Sequence, residues 1–188
     1  MEKQDIKNKK VRGRSVIKIC IAIVIAAALI FGATMALRSR VVSVVVINGD
    51  GMADSMRDSE RWAVDRLKKD YSEGDIITFK ENEDSDNVMV SRVIAVAGDE
   101  LYIDFETGDV YVNGSVLDEP YISEKTSSKG KYIDALIASG SYGPDNPIKI
   151  EDGQVFVMGD NRNNARDSRN FGPVDVSLIE GTVFKRIS

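Results

Sequence analysis

Residues 159–174 read GDNRNNARDSRNFGPV, and the fold turns on them. The apolar run Val155-Phe156-Val157-Met158 in front of them reads as a buried strand bounded by turn formers. Gly159, Asp160 and Asn161 then supply a tight turn, because glycine and asparagine tolerate backbone angles that other residues resist. Arg162, Arg166 and Arg169 follow, interleaved with Asp160 and Asp167. A guanidinium is a rigid fork of donors that suits a carboxylate, so the pattern predicts a semi-buried ion-pair lattice fixing a loop. The bland expectation for such a run is a solvated loop of mixed charge.

Composition narrows the chemistry. The chain of 188 residues is long enough for one domain with its own core plus an appendage. It has no histidine, which excludes Ser-His-Asp and Cys-His sites and any zinc site that needs imidazole. The single cysteine, Cys20, lies in an apolar run, so no intrachain disulfide or cysteine metal cluster can form. No metal site and no cofactor are expected. For a nucleophilic hydrolase, a Ser-Lys pair is the leading option left.

Charge is uneven along the chain. Within residues 1–18, seven basic residues stand against Glu2 and Asp5, a net +5 in a chain of −5, so residues 19–188 carry −10. Ile19 to Leu37 is a run without a charge, and its 19 residues at a ~1.5 Å rise would span about 28 Å, close to a bilayer core. Residues 1–18 are therefore expected as a basic cytoplasmic arm rather than a nucleic-acid contact. Residues 19–37 follow as a single-pass anchor in the plasma membrane, and residues 38–188 as an extracytoplasmic domain. The length of the run and the lack of an A-x-A site before Arg38 and Arg40 argue against a cleaved signal peptide.

Beyond the anchor, strands are expected at Val41–Ile47, Arg61–Leu67, Asp75–Phe79, Val88–Ala97 and Thr182–Ile187. Leu101 to Leu117 reads as small antiparallel strands with turns at Thr107-Gly108 and Asn113-Gly114. Ser123 to Gly130 is expected as a mobile polar loop. Lys131 to Ser139 reads as one or two helical turns with Ile133, Leu136 and Ile137 on one face.

The stretch at 159–174 resembles GDNRxNxxDSRxxGxV, the last signature of the type I signal peptidases. Ile47, Gly49, Met52, Asp58, Arg61, Val64, Asp65 and Leu67 fall in register with the first signature of that family. Arg92, Val93, Ile94, Gly98 and Asp99 match its K-R-V-I-G-x-x-G-D, and Leu117 to Ile122 resembles its L-x-E-P-Y. The resemblance covers about Arg40 to Ile187. It implies a mainly β fold: an antiparallel β core with a small β insertion at about residues 101–150, preceded by one transmembrane helix. It assigns Gly159, Asp160, Asn161, Arg162, Asp167, Ser168, Arg169 and Arg92 to the structural signature.

In this register the catalytic dyad is missing. Gly51 stands at the nucleophile position, Ser91 at that of the general-base lysine, and Ala165 at that of the hydroxyl that orients the lysine. A rival register would make Ser55 the nucleophile, in Ser55-Met56-Arg57-Asp58-Ser59, at the cost of four deleted residues and the loss of Gly49. Gly49, Asp50, Met52 and Val90 are groove candidates, since active members bind an exported precursor there as an extended strand. Non-catalytic members are known near pilus assembly systems of Gram-positive bacteria, which makes exported precursors or pilins the expected partners. Three readings follow: a non-catalytic chaperone or assembly factor, a peptidase using Ser55 with an unaligned lysine such as Lys149 or Lys185, or a structural envelope domain.

Overall fold

The computed structural model describes residues 21, 23–32, 34 and 41–187, in two compact units divided after Val41. In the first unit the described residues before 41 are helical and exposed. Among the described residues no helix is long and apolar enough to cross a membrane. The basic arm lies outside the described residues altogether, and the expected anchor at 19–37 lies partly outside them.

The second unit is built of β-structure, and its strands follow the β-branched and aromatic runs of the sequence. Those runs form β1 (Val42–Val46), β2 (Arg61–Asp65), β3 (Ile76–Lys80), β4 (Val88–Val96), β5 (Glu100–Ile103) and β6 (Val110–Val112). They continue as β7 (Ser115–Val116), β8 (Ile148–Lys149), β9 (Gln154–Met158), β10 (Val174–Asp175) and β11 (Ile179–Arg186). A seven-stranded sheet has the order β1-β2-β11-β3-β4-β9-β10, and a four-stranded sheet the order β7-β6-β5-β8. Every strand pair is antiparallel. The mainly β expectation holds.

Two local features shape this scaffold. Asn113 and Gly114 both take positive φ, 52° and 76°, as a two-residue hairpin turn whose twist matches its strands requires. In β4 the pairing with β9 shifts register between Val93 and Ala95. Such an irregularity turns a strand locally. Val93 accordingly packs with Ile77, Phe79 and Val157, whereas Ile94 and Ala95 pack with Leu101, Ile103, Ile133 and Phe156 under the smaller sheet. Burying a side chain such as Phe79 or Phe156 in these clusters stabilises the fold by about 1.5–3 kcal/mol. A third cluster joins Ile47, Met52, Met56, Val64 and Val183, and it anchors the loop between β1 and β2 through its two methionines.

Some expectations are corrected. β11 begins at Ile179 rather than Thr182, and β2 ends at Asp65, whose Oδ1 accepts from Leu67 N in a turn. The helix spans Lys131–Ala138, but Ile137 is 40% exposed and only Ile133 of the expected face is fully buried. Residues 123–130 are tied down rather than loose. Ser123 N and Oγ both donate to Asp54, while Ser127 N, Ser127 Oγ and Ser128 N converge on Asn163 Oδ1, and Thr126 is buried.

Candidate functional site

The turn after β9 folds back as Asp167 caps the short helix Ser168–Phe171. Asp167 Oδ1 accepts from Arg169 N, and Asn170 Oδ1 in turn accepts from Asp167 N, a reciprocal box that satisfies helix-end donors. Arg169 closes on the same carboxylate with two prongs, Nε at 2.9 Å and Nη2 at 2.7 Å, and its Nη1 donates to the carbonyls of Arg162 and Ser128. Ser168 Oγ accepts from Val157 N, so the signature serine braces β9 and stays buried.

The expected ion-pair lattice is present, with two corrections. It is buried rather than semi-buried: Asp160, Arg162, Asp167 and Arg169 are each at most 1% exposed. Moreover, only Asp167 and Arg169 pair within the stretch. Asp160 receives the fork of Arg92 from β4, at 2.9 and 2.6 Å. Arg162 reaches both oxygens of Glu119, and Arg166 reaches Glu81 at the surface. Tyr121 completes the assembly. Arg92 Cζ lies 3.9 Å from the centre of its ring, and its hydroxyl donates to Glu119. Burial, then the Glu119 carboxylate, push the Tyr121 phenol well above its ordinary range, so it remains a neutral donor. Sequence reading assigned Glu119 and Tyr121 no site role, although the L-x-E-P-Y resemblance marked them.

Gly51 is held against this lattice. Asn161 N donates to Gly51 O at 3.1 Å and Asn161 Nδ2 to Asp50 O at 2.9 Å, while Asp160 N meets Met52 Sδ. A Cβ built on Gly51 would lie 3.7 Å from Ala165 Cβ, an ordinary contact. Gly159 is the pivot: any Cβ there would overlap Ala165 Cβ and Gly51 O. Ser91 is 2% exposed and pairs with Ile77. Its neighbour Arg92 pairs with Met158, the residue before Gly159. Gly51 and Ala165 thus meet at Gly159, and Ser91 lies on β4 beside the strand that leads into it.

A cleft of about 210 Å³ opens at Gly51, lined by Gly49, Gly51, Met52 and Val90 together with Val46 and Arg166. Asp50, the fourth groove candidate, instead gives its carbonyl to Asn161. Ser55 is exposed, and Arg92 Nη2 donates to its Oγ at 3.4 Å. Lys149 is 70% exposed and paired with Glu100 on the smaller sheet, and Lys185 is exposed on β11. Among the described residues no group of His, Cys, Asp or Glu is placed to hold a metal ion.

An antiparallel β core that carries this lattice and presents this cleft defines a signal-peptidase-like protein. The chain belongs to the signal peptidase family, peptidase S26, whose model matches residues 16–187. It is 32% identical to signal peptidase I S of Bacillus subtilis (strain 168), over 97% of this chain and 92% of that one. It is 34% identical to signal peptidase IB of Staphylococcus aureus (strain Mu50), over 76% of each. A crystal structure of a signal peptidase I from Enterococcus faecalis V583 aligns with 61% of this chain and 97% of that one, at 23% identity and a TM-score of 0.44.

Proposed function

We propose that this family member has lost the Ser-Lys dyad and works without catalysis. It would be anchored in the membrane, as befits its family, and hold exported precursor or pilin-like chains as extended peptides. The observation that carries the reading is that a side chain begun at Gly51 would meet Ala165, where the resemblance puts the nucleophile and the hydroxyl beside its base. Neither residue has a group to attack with or to accept a proton. Ser91, at the lysine's position, holds its proton too tightly at neutral pH to serve as base.

Binding does not need those groups. β1 is an edge strand of the larger sheet, and a peptide can pair with such an edge through its backbone. The cleft beside Gly51 shares Val46, Asn48 and Val88 with a longer groove that follows β1. That gives an extended segment a continuous track of mixed lining, with Val44, Val46, Val64 and Val88 as its apolar contacts.

A peptidase built on Ser55 has less to support it. Its hydroxyl faces the guanidinium of Arg92, which offers donors and no acceptor for the hydroxyl's proton. Lys149 is paired with Glu100 on the smaller sheet, Lys185 is exposed on β11, and no bond from either to Ser55 is present among the described residues.

The test uses the purified full chain with a signal-peptide substrate and a serine-directed acylating inhibitor. No cleavage and no adduct are expected. Gly51→Ser together with Ser91→Lys should gain weak cleavage that rises as the new lysine deprotonates, while either change alone stays at background. A stoichiometric adduct on Ser55, or turnover abolished by Ser55→Ala, overturns the proposal. For the topology, external protease acting on right-side-out vesicles should remove the domain beyond Arg40 and spare the amino terminus.

A further inference from the structure

The smaller sheet has a face that the signal-peptidase reading leaves unused. Leu101, Ile103, Val110 and Val112 point one way, into the core. Strand alternation sends Glu100, Tyr102 and Tyr111 the other way. There a pocket of about 470 Å³ is lined by Glu100, Tyr102, Asp104, Tyr111, Pro144 and Pro147. Tyr102 pairs with Tyr111 across the strands, their rings 5.9 Å apart, and Tyr142 continues the row at 5.5 Å from Tyr102. Tyr142 is pinned by its hydroxyl, which accepts from Ile103 N and donates to Ile103 O. That end of the row is therefore fixed in place.

We infer that this pocket binds a lysine or arginine side chain carried on an extended segment of a partner polypeptide, at a site separate from the Gly51 cleft. Aromatic faces attract a cation within about 6 Å of the ring centre. One such contact stands near the row, where Lys129 Nζ lies 5.6 Å from the ring of Phe105, a neighbour of Tyr142. Two residues to either side of Tyr102 stand Glu100 and Asp104, about 7 Å along the strand, within one screening length at physiological salt. A cation over the Tyr102 ring would thus be attracted chiefly by Asp104, because Glu100 is already paired with Lys149. The Asp104 Oδ1 atom accepts from Glu106 N and Thr107 N, while no bond to its Oδ2 is present among the described residues. Burial, then Asp104 and Glu106, push the Tyr102 phenol up, in keeping with an electronegative pocket. Glu100 and Asp104 lie about 13 Å apart along the strand, too far for one metal ion to bridge. The spacing suits a side chain with an apolar stem, and Pro144 and Pro147 offer the stem its walls. The net charge of −10 over residues 19–188 favours a basic partner as well.

The experiment titrates the full chain in detergent micelles with a labelled pentapeptide bearing one central lysine, followed by anisotropy. Saturable binding is expected, weakened at least fivefold when the lysine is acetylated. Asp104→Asn, which keeps the turn-capping acceptor and removes the charge, should weaken it at least fivefold. Lys149→Ala should tighten it severalfold, because Lys149 neutralises Glu100 at 3.1 Å, whereas Lys185→Ala on the other sheet should change nothing. A signal peptide without lysine or arginine, its basic amino-terminal region removed, should not displace the probe in excess. Equal binding of the acetylated peptide, no binding up to millimolar concentration, or displacement by the signal peptide overturns the inference. The last result would place the probe in the Gly51 cleft and leave the proposed function standing.

Discussion

The buried charges around Asp167 and the small residues around Gly51 lie on either side of Gly159, yet they answer to different constraints. In the lattice each charge is complete only with its partner: Asp167 with Arg169, Asp160 with Arg92, Arg162 with Glu119. Taking one member away leaves the other charged and out of water, which a marginally stable domain tolerates badly. Around Gly51 the packing asks for little more than smallness. A nucleophile or a base at these positions serves chemistry and contributes nothing that folding requires. A chain can therefore shed its reactive groups and keep its loop architecture, but the reverse order would unfold it.

The strongest challenge to that contrast is Arg169→Leu. It strands the fully buried Asp167 carboxylate and should cost about 3–5 kcal/mol, measured by urea denaturation. A loss under 1 kcal/mol would mean the lattice is not what holds the loop. Next comes Gly159→Ala. Its methyl would overlap Gly51 O and Ala165 Cβ, and overpacking of this kind costs about 1–3 kcal/mol. The amide resonance of Asn161, which bonds Gly51 O, should shift with it.

Gly51→Ser should be nearly silent, within about 0.5 kcal/mol, because its Cβ finds only an ordinary contact and its φ is not left-handed. A large destabilisation there would erase the contrast. The smallest effect belongs to Asp58, which accepts from Gly49 N at 2.8 Å and so holds the loop that carries Gly51. That bond, then the one from Ser59, keep its carboxyl below the ordinary 3.8. Its stabilising share is complete above that value and is lost as pH falls through the lower folded one. Asp58→Asn should therefore lower Tm slightly at pH 6 and match the parent at the acid end of a thermal melt series.

The strands and the lattice loop were legible because their signals are local: β-branched runs, the Asn113-Gly114 turn, and the spacing of arginines and aspartates in one stretch. The pairing of those arginines was not. Charge matching is degenerate among 30 acidic residues, and only the folded path brings Glu119 and Glu81 to Arg162 and Arg166. The polarity of residues 123–130 suggested a mobile loop for the same reason. Its bonds come from Asp54 and Asn163, each more than 30 residues away. The meeting of Gly51 with Ala165 was foreseeable only through the family resemblance, since a glycine and an alanine announce no chemistry of their own.

The place of β11 in the larger sheet governs how the domain must assemble. The last strand of the chain lies between β2 and β3, and its pairings with those two strands join β1 and β2 to the rest. A chain made from its amino terminus therefore has two unjoined halves of a sheet until the stretch through Arg186 is available. Closure then depends on contacts between residues more than 100 positions apart, such as Val183 with Ile76 and Val64, and long-range pairing of this kind is slow. The strand edges of β2 and β3 stay open in the interval. Truncation before Ile179 would leave them open for good, giving two adhesive sheets in place of one closed one.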